Sequence, residues 1–161
     1  MVHKLYAGAF LKRDGQYLLL KRADSRQLAP GKWSCVGGHI EPHELGAPLA
    51  ACLREIEEET GIPQEQVRNL ALRYIIMRKA GNTIRQSFVY FGETDAVDVV
   101  QSDEGMLHWV PEDELTDREF TQTFAAMLAH WQNTPSPQVV IGTAENDSGL
   151  RMNWAILEDF E

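Results

Sequence analysis

The segment from Pro48 to Thr60 constrains the fold most, because its pattern predicts a single amphipathic helix. Pro48 suits the first helical position, and Gly61 follows as a C-terminal stop. Apolar side chains recur at helical spacing and share one face with Thr60: Leu49, Leu53 and Ile56. The sequence therefore predicts a helix over 48–60 whose sides differ in chemistry.

Another side of this helix carries three carboxylates. Glu55, Glu58 and Glu59 fall within one arc of roughly 100°. Like charges at these spacings repel by a few tenths of a kcal/mol per pair, and the helix dipole disfavours anions in the last turns. Arg54 and Arg73 are nearby cations in sequence, and neither has a spacing that neutralises all three. A divalent cation would reverse the repulsion, because magnesium, manganese and calcium prefer clustered oxygen ligands. Taken alone, the pattern is more typical of a solvated acidic face.

The charge balance bears on the same question. The 161 residues include 24 Asp and Glu against 15 Lys and Arg, which gives a formal net charge of −9. This length suits one domain that needs no disulfide or metal in order to fold. An acidic chain lacks the basic surface that grips nucleic acid without sequence preference, so we expect no nucleic-acid partner. Phosphate ligands stay compatible with this charge if cations mediate the contact.

Neither the cysteines nor the N-terminal segment indicates secretion or a membrane. Cys35 and Cys52 have no CxxC or Cys/His pairing around them, so we expect two buried thiols instead of a disulfide framework or a zinc site. Basic residues interrupt segment 1–13, whose apolar stretch is too short for a signal-peptide core. No segment approaches the roughly 18 apolar residues of a membrane span. We therefore expect a cytoplasmic protein without membrane contact.

Turn residues and apolar runs predict the other elements. Asp14-Gly15 between two β-prone runs is a strong hairpin signal. The elements predicted before the helix are a hairpin of 5–11 and 16–21, a loop over 23–32, and a strand over 33–36 that ends at Gly37-Gly38. The elements predicted after it are a hairpin of 67–77 and 84–92, a strand over 106–110, helices over 111–115 and 118–131, and a closing hairpin of 139–143 and 150–157.

The last predicted elements bear on the oligomeric state and on the core. The closing hairpin either completes the sheet or forms an interface, so periodicity leaves a homodimer open. Aromatic residues at helical spacing in the segment 118–131 are expected in the core: Phe120, Phe124 and Trp131. No repeat or linker divides the chain, so we expect a single domain over 1–161.

Two stretches around the predicted helix resemble the Nudix box, G-x5-E-x7-R-E-U-x-E-E-x-G-U, in which U is an aliphatic residue. Gly38 to Glu44 keeps the first spacing. The second half is filled at every named position: Arg54, Glu55, Ile56, Glu58, Glu59, Gly61 and Ile62. The runs 18–22, 30–33 and 37–38 also resemble the strand and loop that precede the box in this family.

The chain departs from the box at three places. Nine residues separate Glu44 from Arg54 where the pattern has seven, and aligning the helix start places the additional pair near Leu45-Gly46, in a loop. The helical phase of the three glutamates is then preserved, whereas the position of Glu44 relative to them is left open. His43 stands where a glycine is common, and Val36 where a proline is common. We expect the His43 side chain to be exposed.

The resemblance implies an α/β fold, an α/β/α sandwich around a mixed β-sheet. It also implies hydrolysis of a nucleoside diphosphate linked to another moiety, with magnesium or manganese offsetting the charge of the diphosphate. By this resemblance Glu58 and Glu59 are metal ligands, Glu55 is a ligand or a general base, and the Gly37 carbonyl adds an oxygen. Arg54 would hold the loop or a carboxylate in place, which completes the expected catalytic set of Glu55, Glu58, Glu59 and Arg54.

The remaining expected site residues lie outside this helix. A further carboxylate ligand often comes from the loop after the long hairpin in this family, where Glu104 or Asp103 is placed to supply it. Arg22, Trp33 and Gly38 are the expected substrate-binding residues, with Arg22 facing a phosphate or a box glutamate. A surface ion pair of Arg22 is an equal alternative.

Substrate choice should depend on loops and strand faces outside the box. The segments 23–32, 74–86 and 108–109 are the expected places. A nucleoside triphosphate or an oxidised dNTP is the first substrate to expect, followed by nucleotide sugars and dinucleotides.

Two other classes of protein compete with the enzyme. A noncatalytic Nudix-like sensor would bind a nucleotide and regulate a partner, but it has no need to keep three repelling glutamates. A simple acidic interaction domain would explain the charge but not the Gly37-Gly38 context. The sequence therefore favours an enzyme that acts on a small nucleotide.

Overall fold

The computed structural model describes residues 1–146 and 149–158. The strands in these residues are β1 (Val2–Arg13), β2 (Gln16–Arg22), β3 (Trp33–Ser34), β4 (Val36–His39), β5 (Val67–Ala80), β6 (Thr83–Thr94), β7 (Gly105–Pro111), β8 (Val139–Glu145) and β9 (Arg151–Leu157). The α-helices are α1 (Pro48–Thr60) and α2 (Gln122–Asn133), and 3-10 helices span Pro42–Glu44, Gln64–Gln66 and Glu112–Asp117. None of the described helices is long and apolar enough to cross a membrane.

The described strands form one mixed sheet. Its main path runs β3-β2-β1-β6-β5-β8-β9, with β4 paired to β1 and β7 paired to β2. β1 pairs with β6 and β5 pairs with β8 in parallel, whereas the hairpins β1–β2, β5–β6 and β8–β9 are antiparallel. The last hairpin therefore extends the sheet beyond β5, and β9 forms its edge.

Two apolar cores cover the two faces of this sheet. Alternate residues of β1 point to opposite faces, so that Ala9 joins the core beneath α1 while Phe10 joins the core beneath α2. Helix α1 contributes Ala51, Cys52 and Ile56 to the first core, and α2 contributes Met127 and Leu128 to the second. One helix on each face of a mixed sheet confirms the predicted α/β/α sandwich.

Most predicted elements are present with small shifts of their ends. The helix over 48–60 and both predicted hairpins before residue 95 are confirmed. Cys35 and Cys52 are buried free thiols, as expected. The aromatic residues of 118–131 pack into the second core. The closing hairpin is confirmed as β8–β9, although Asp147 and Ser148 of its predicted turn lie outside the described residues.

The prediction that Gly37-Gly38 ends a strand was wrong. Both glycines lie inside β4, which pairs antiparallel with β1. A Cβ on Gly37 would come within 2.3 Å of the Ala7 carbonyl oxygen. Gly37 is thus needed for the close approach of two backbones and not for a turn.

The predicted helices over 111–115 and 118–131 also need correction. The first is a 3-10 helix over Glu112–Asp117, and α2 begins only at Gln122. Before it, the chain is extended, because the Glu119 carbonyl accepts a hydrogen bond from the Trp33 N–H and Phe120 bridges to Trp33. Pairing with the sheet therefore overrides the helical pattern of these residues.

Candidate active site

Arg54, on the exposed side of α1, connects three carboxylates. Its Nε and Nη2 donate to the two oxygens of Glu44 at 2.5 and 2.9 Å. Its Nη1 donates to Glu55 at 2.8 Å and to Glu58 at 3.0 Å. Nη2 also donates to the His39 carbonyl at 3.0 Å, which ties the helix to β4. One guanidinium thus pairs with two of the three helix glutamates, Glu55 and Glu58, and not with Glu59.

Glu44 reaches this network despite the two inserted residues. It ends the 3-10 helix Pro42–Glu44, and its carboxylate also accepts the Glu41 N–H at 3.0 Å. The hydrogen bond from Arg54 lowers the pKa of Glu44 to about 2, and the Glu41 N–H acts in the same direction. The inserted pair Leu45-Gly46 is exposed and precedes α1, so the helical phase of the glutamates is preserved. His43 is exposed, as expected.

Glu59 is the most enclosed of the helix glutamates. It is 4% exposed, and its Oε2 accepts the Gly37 N–H at 2.9 Å. Its Oε1 is buried and has no hydrogen-bond partner among the described residues. Burial raises the pKa of Glu59 to about 8; Glu104 and Glu55 raise it further, while the Gly37 N–H and Arg22 act against them. An orphaned carboxylate oxygen in such a place is suited to a cation.

Glu55 lies directly against β4. A Cβ on Gly38 would come within 2.2 Å of the Glu55 carboxylate, so a larger residue there would displace this carboxylate. Burial raises the pKa of Glu55, whereas its hydrogen bond with Arg54 lowers it. Gly38 therefore has a packing role toward a candidate ligand, and it is absent from the residues that line the neighbouring cavity.

Glu104 is the loop carboxylate that the fold brings to the glutamates. Its charge raises the pKa of both Glu55 and Glu59, because the three carboxylates are close enough to repel one another. The Glu104 carbonyl accepts the Ala23 N–H, which ties this loop to the end of β2. Asp103, the other candidate, is exposed.

The donor set fits a hard divalent cation in its chemistry. The orphaned Glu59 oxygen and the nearby Glu55 and Glu104 carboxylates are oxygen ligands of the type that magnesium and manganese prefer. Within 1–146 and 149–158, however, no group of three or more Asp, Glu, His or Cys side chains is arranged so that it could hold a metal ion. Instead, Arg54 and the Gly37 N–H occupy several of these oxygens.

A cavity of about 170 Å³ lies beside the glutamates, on the α2 face of the sheet. Arg22 and Trp33 line it, as does His39, whose carbonyl binds Arg54. The Arg22 Nε donates to the Leu28 carbonyl at 2.9 Å, while its charge lowers the pKa of Glu59. The Trp33 ring packs against His108, with 5.3 Å between centroids. Arg22 therefore lies at the junction of cavity and glutamates.

Several lining residues come from segments expected to set substrate choice. Leu28 and Ala29 come from 23–32, and Arg78, Arg85 and Gln86 from 74–86. Trp109, in contrast, packs in the core on the α1 face, so it does not line the cavity.

Sequence reasoning missed three lining residues as individuals: Lys4, Arg78 and Arg85. Their signal is that all three are basic and lie on strands. The proximity of Lys4 to Arg85, however, depends on pairing between strands about 80 residues apart in the chain, which local periodicity does not reveal.

Comparison with known proteins places these features in a family. The family model for the NUDIX domain matches residues 2–131. Nucleoside triphosphatase NudI of Escherichia coli is 47% identical over 51 residues, which are 32% of this chain and 35% of the relative. The match thus spans about a third of the length of that curated relative.

Solved structures share the whole fold. The mutator MutT protein of Bacillus halodurans superposes with a TM-score of 0.74 at 23% identity, over 97% of this chain and 99% of that one. The MutT protein of Methanosarcina mazei has a TM-score of 0.70 at 22% identity, over 82% of this chain and 94% of that one. Since the family model covers most of the chain and these proteins share its fold, this chain belongs to the Nudix family.

Proposed function

We propose that this chain is a metal-dependent pyrophosphohydrolase that cleaves a nucleoside diphosphate linked to another moiety. The observation that carries the proposal is Glu59, a buried carboxylate with an orphaned oxygen beside Glu55 and Glu104. A buried carboxylate oxygen without a hydrogen-bond partner lowers the stability of the fold unless a ligand binds to it. Membership of the Nudix family supports the same activity.

The residues have separable roles in this proposal. Glu58 and Glu59, with Glu55 and Glu104, would hold magnesium or manganese, and the Gly37 carbonyl would add an oxygen. The bound metal would offset the charge of the diphosphate and of the leaving oxygens. Glu55 is also the candidate to accept a proton from the attacking water. Arg54 positions Glu55 and Glu58 through its hydrogen bonds.

The cavity beside the glutamates is the proposed site for the rest of the nucleotide. Arg22 lines it and is placed to contact a phosphate, and Trp33 offers an aromatic wall. A nucleoside triphosphate or an oxidised dNTP is the first substrate to test, because NudI, the partial relative, is a nucleoside triphosphatase. Nucleotide sugars and dinucleotides follow.

A substrate panel with magnesium tests the activity. The purified protein is incubated with nucleoside triphosphates, oxidised dNTPs, nucleotide sugars and dinucleotides, and release of phosphate, pyrophosphate or nucleoside monophosphate is measured. Turnover of at least one class that stops when EDTA removes the metal is the expected result. Absence of turnover across the panel would instead favour a protein that binds nucleotides without hydrolysing them.

Glu59→Gln tests the metal assignment. Glutamine keeps an acceptor for the Gly37 N–H but lacks the charge, so we expect the fold to be retained and the magnesium-dependent rate to fall about 100-fold or more. Glu57→Gln is the matched control, because Glu57 is exposed on the same helix and should keep the wild-type rate. Wild-type turnover by Glu59→Gln would show that Glu59 holds no catalytic metal.

A further inference from the structure

Three basic residues on neighbouring strands form a row along one wall of the cavity. Lys4 of β1 is directly paired with Arg85 of β6, and Arg85 is directly paired with Arg78 of β5. Directly paired residues point to the same face of a sheet, and all three line the cavity on the α2 face. Lys4, Arg85 and Arg78 are called the cationic row below.

The cationic row has no acidic partner within residues 1–146 and 149–158. No Asp or Glu side chain lines the cavity within the described residues. The Nε atoms of Arg78 and Arg85 are buried and have no hydrogen-bond partner there either. Like charges directly opposite one another destabilise a sheet, and a buried donor without an acceptor adds to that cost. The chain thus keeps two unfavourable features that a bound anion would remove.

We propose that the cationic row binds a phosphate group of the substrate that is separate from the hydrolysed diphosphate. Guanidinium groups match the oxygens of a phosphate with paired hydrogen bonds, and two arginines and a lysine supply enough charge for a dianion. Lys4 is exposed at the outer end of the row, while Arg78 and Arg85 are half-buried. An anion would therefore meet the exposed Lys4 first and then the half-buried guanidinium groups of Arg78 and Arg85.

The distance along β1 separates this phosphate from the glutamates. Gly8 is paired with Gly37, whose N–H binds Glu59, whereas the row crosses β1 at Lys4. Four residues of a strand span about 13 Å, so the row and the glutamates lie at separate places along β1. The ligand would carry its diphosphate at the glutamates and a second phosphate at the row. Its role as a substrate rests on the proposed function, whereas phosphate binding at the row does not.

The first experiment follows the arginines directly. The Nε–H resonances of Arg78 and Arg85 are assigned by NMR and titrated with inorganic phosphate without metal. Saturable shifts of both resonances are expected, and the shift of the Arg85 resonance should weaken in Arg78→Gln. If the long arginine stems only cover apolar surface, phosphate will leave these resonances unchanged and the proposal is overturned.

The second experiment asks whether the phosphate belongs to a nucleotide. NADH and NADPH differ only in a phosphate remote from the diphosphate bridge, and their binding is measured by fluorescence without metal. We expect NADPH to bind about tenfold more tightly, and Arg78→Gln or Arg85→Gln to abolish most of this preference. Arg151→Gln is the matched control, because it removes an exposed cation that pairs with Glu145 and does not line the cavity.

The outcomes separate this proposal from the hydrolase. Equal binding of both dinucleotides, with inorganic phosphate still at the row, would assign the row to the free ion and overturn its role in substrate recognition. Phosphate-dependent binding without hydrolysis of any compound in the magnesium panel would uphold the row and overturn the hydrolase. Hydrolysis of a compound in the magnesium panel, with no effect of phosphate on the Arg78 and Arg85 resonances, would uphold the hydrolase and overturn the row as a phosphate site.

Discussion

The glutamates of α1 and the cationic row are both clusters of like charge, but the chain treats them differently. Arg54 bonds to Glu55, Glu58 and the loop residue Glu44, so most of the acidic charge has a partner within the protein. Arg78 and Arg85 have none among the described residues that line their cavity. The first cluster is therefore built into the fold, whereas the second adds only cost until an anion binds.

The same contrast divides the carboxylates themselves. Glu44 and Glu59 are 9% and 4% exposed, yet the pKa of Glu44 is lowered to about 2 by Arg54 while burial raises that of Glu59 to about 8. Burial raises the pKa of both carboxylates, and only at Glu44 does a hydrogen bond from a guanidinium outweigh it. Glu44 therefore has a structural role, whereas Glu59 is available to bind a ligand.

Substitution of Arg54 should separate the α1 glutamates from their cation, and it should cause the largest loss of stability. Arg54→Met keeps a long apolar stem but leaves Glu44 and Glu55 without their cation, so we expect a loss of about 3 kcal/mol in the free energy of unfolding. Urea denaturation measures this loss. Arg54→Lys keeps the charge without the two-pronged contact to Glu44, and its loss should be smaller. Equal stability of Arg54→Met and the wild type would mean that the network adds nothing to the fold.

Acid should break the same cluster through Glu44. Its pKa is lowered in the folded protein from 4.5 to about 2, so the contribution of its ionised form is complete above pH 4.5 and is lost as the pH falls toward 2. Melting temperatures of the wild type and Glu44→Gln, measured between pH 6 and pH 2.5, should therefore converge on acidification. Other carboxylates titrate in both proteins, so the difference between the two curves isolates Glu44. A constant difference over this range would contradict the assignment.

The sequence predicted the parts of the molecule that depend on local pattern. Helix α1 was predicted with its observed ends, because Pro48 and Gly61 mark its limits and the apolar spacing is regular. The box glutamates were identified through family resemblance, and the placement of the inserted residues outside the helix preserved their phase. Arg54 was expected to hold the loop or a carboxylate, but Glu44 was not identified as its partner, since that contact depends on how a 3-10 helix turns.

Features that depend on pairing between distant strands were not predicted. Gly37 was taken for a strand end, although it is needed for close approach to β1. The residues before Gln122 follow a helical pattern but pair with Trp33. The cationic row also requires the register of β1, β6 and β5, in which Lys4 and Arg78 flank Arg85. A one-residue shift of that register would move these side chains to the opposite face.

Removing one charge from the cationic row should have the smallest effect on the free energy of unfolding, and it should raise this free energy instead of lowering it. Arg78→Gln removes the charge opposite Arg85, so we expect the free energy of unfolding to rise by about 0.5 kcal/mol in low salt. This gain should shrink in 0.5 M NaCl because salt screens the repulsion. Arg151→Gln, which breaks an exposed pair with Glu145, should give no gain. Inorganic phosphate should reverse the order, because it stabilises the wild type by binding the row while the variant has lost a ligand for it. A loss of stability in Arg78→Gln without phosphate would show that the row is paired within the protein and has no need of an anion.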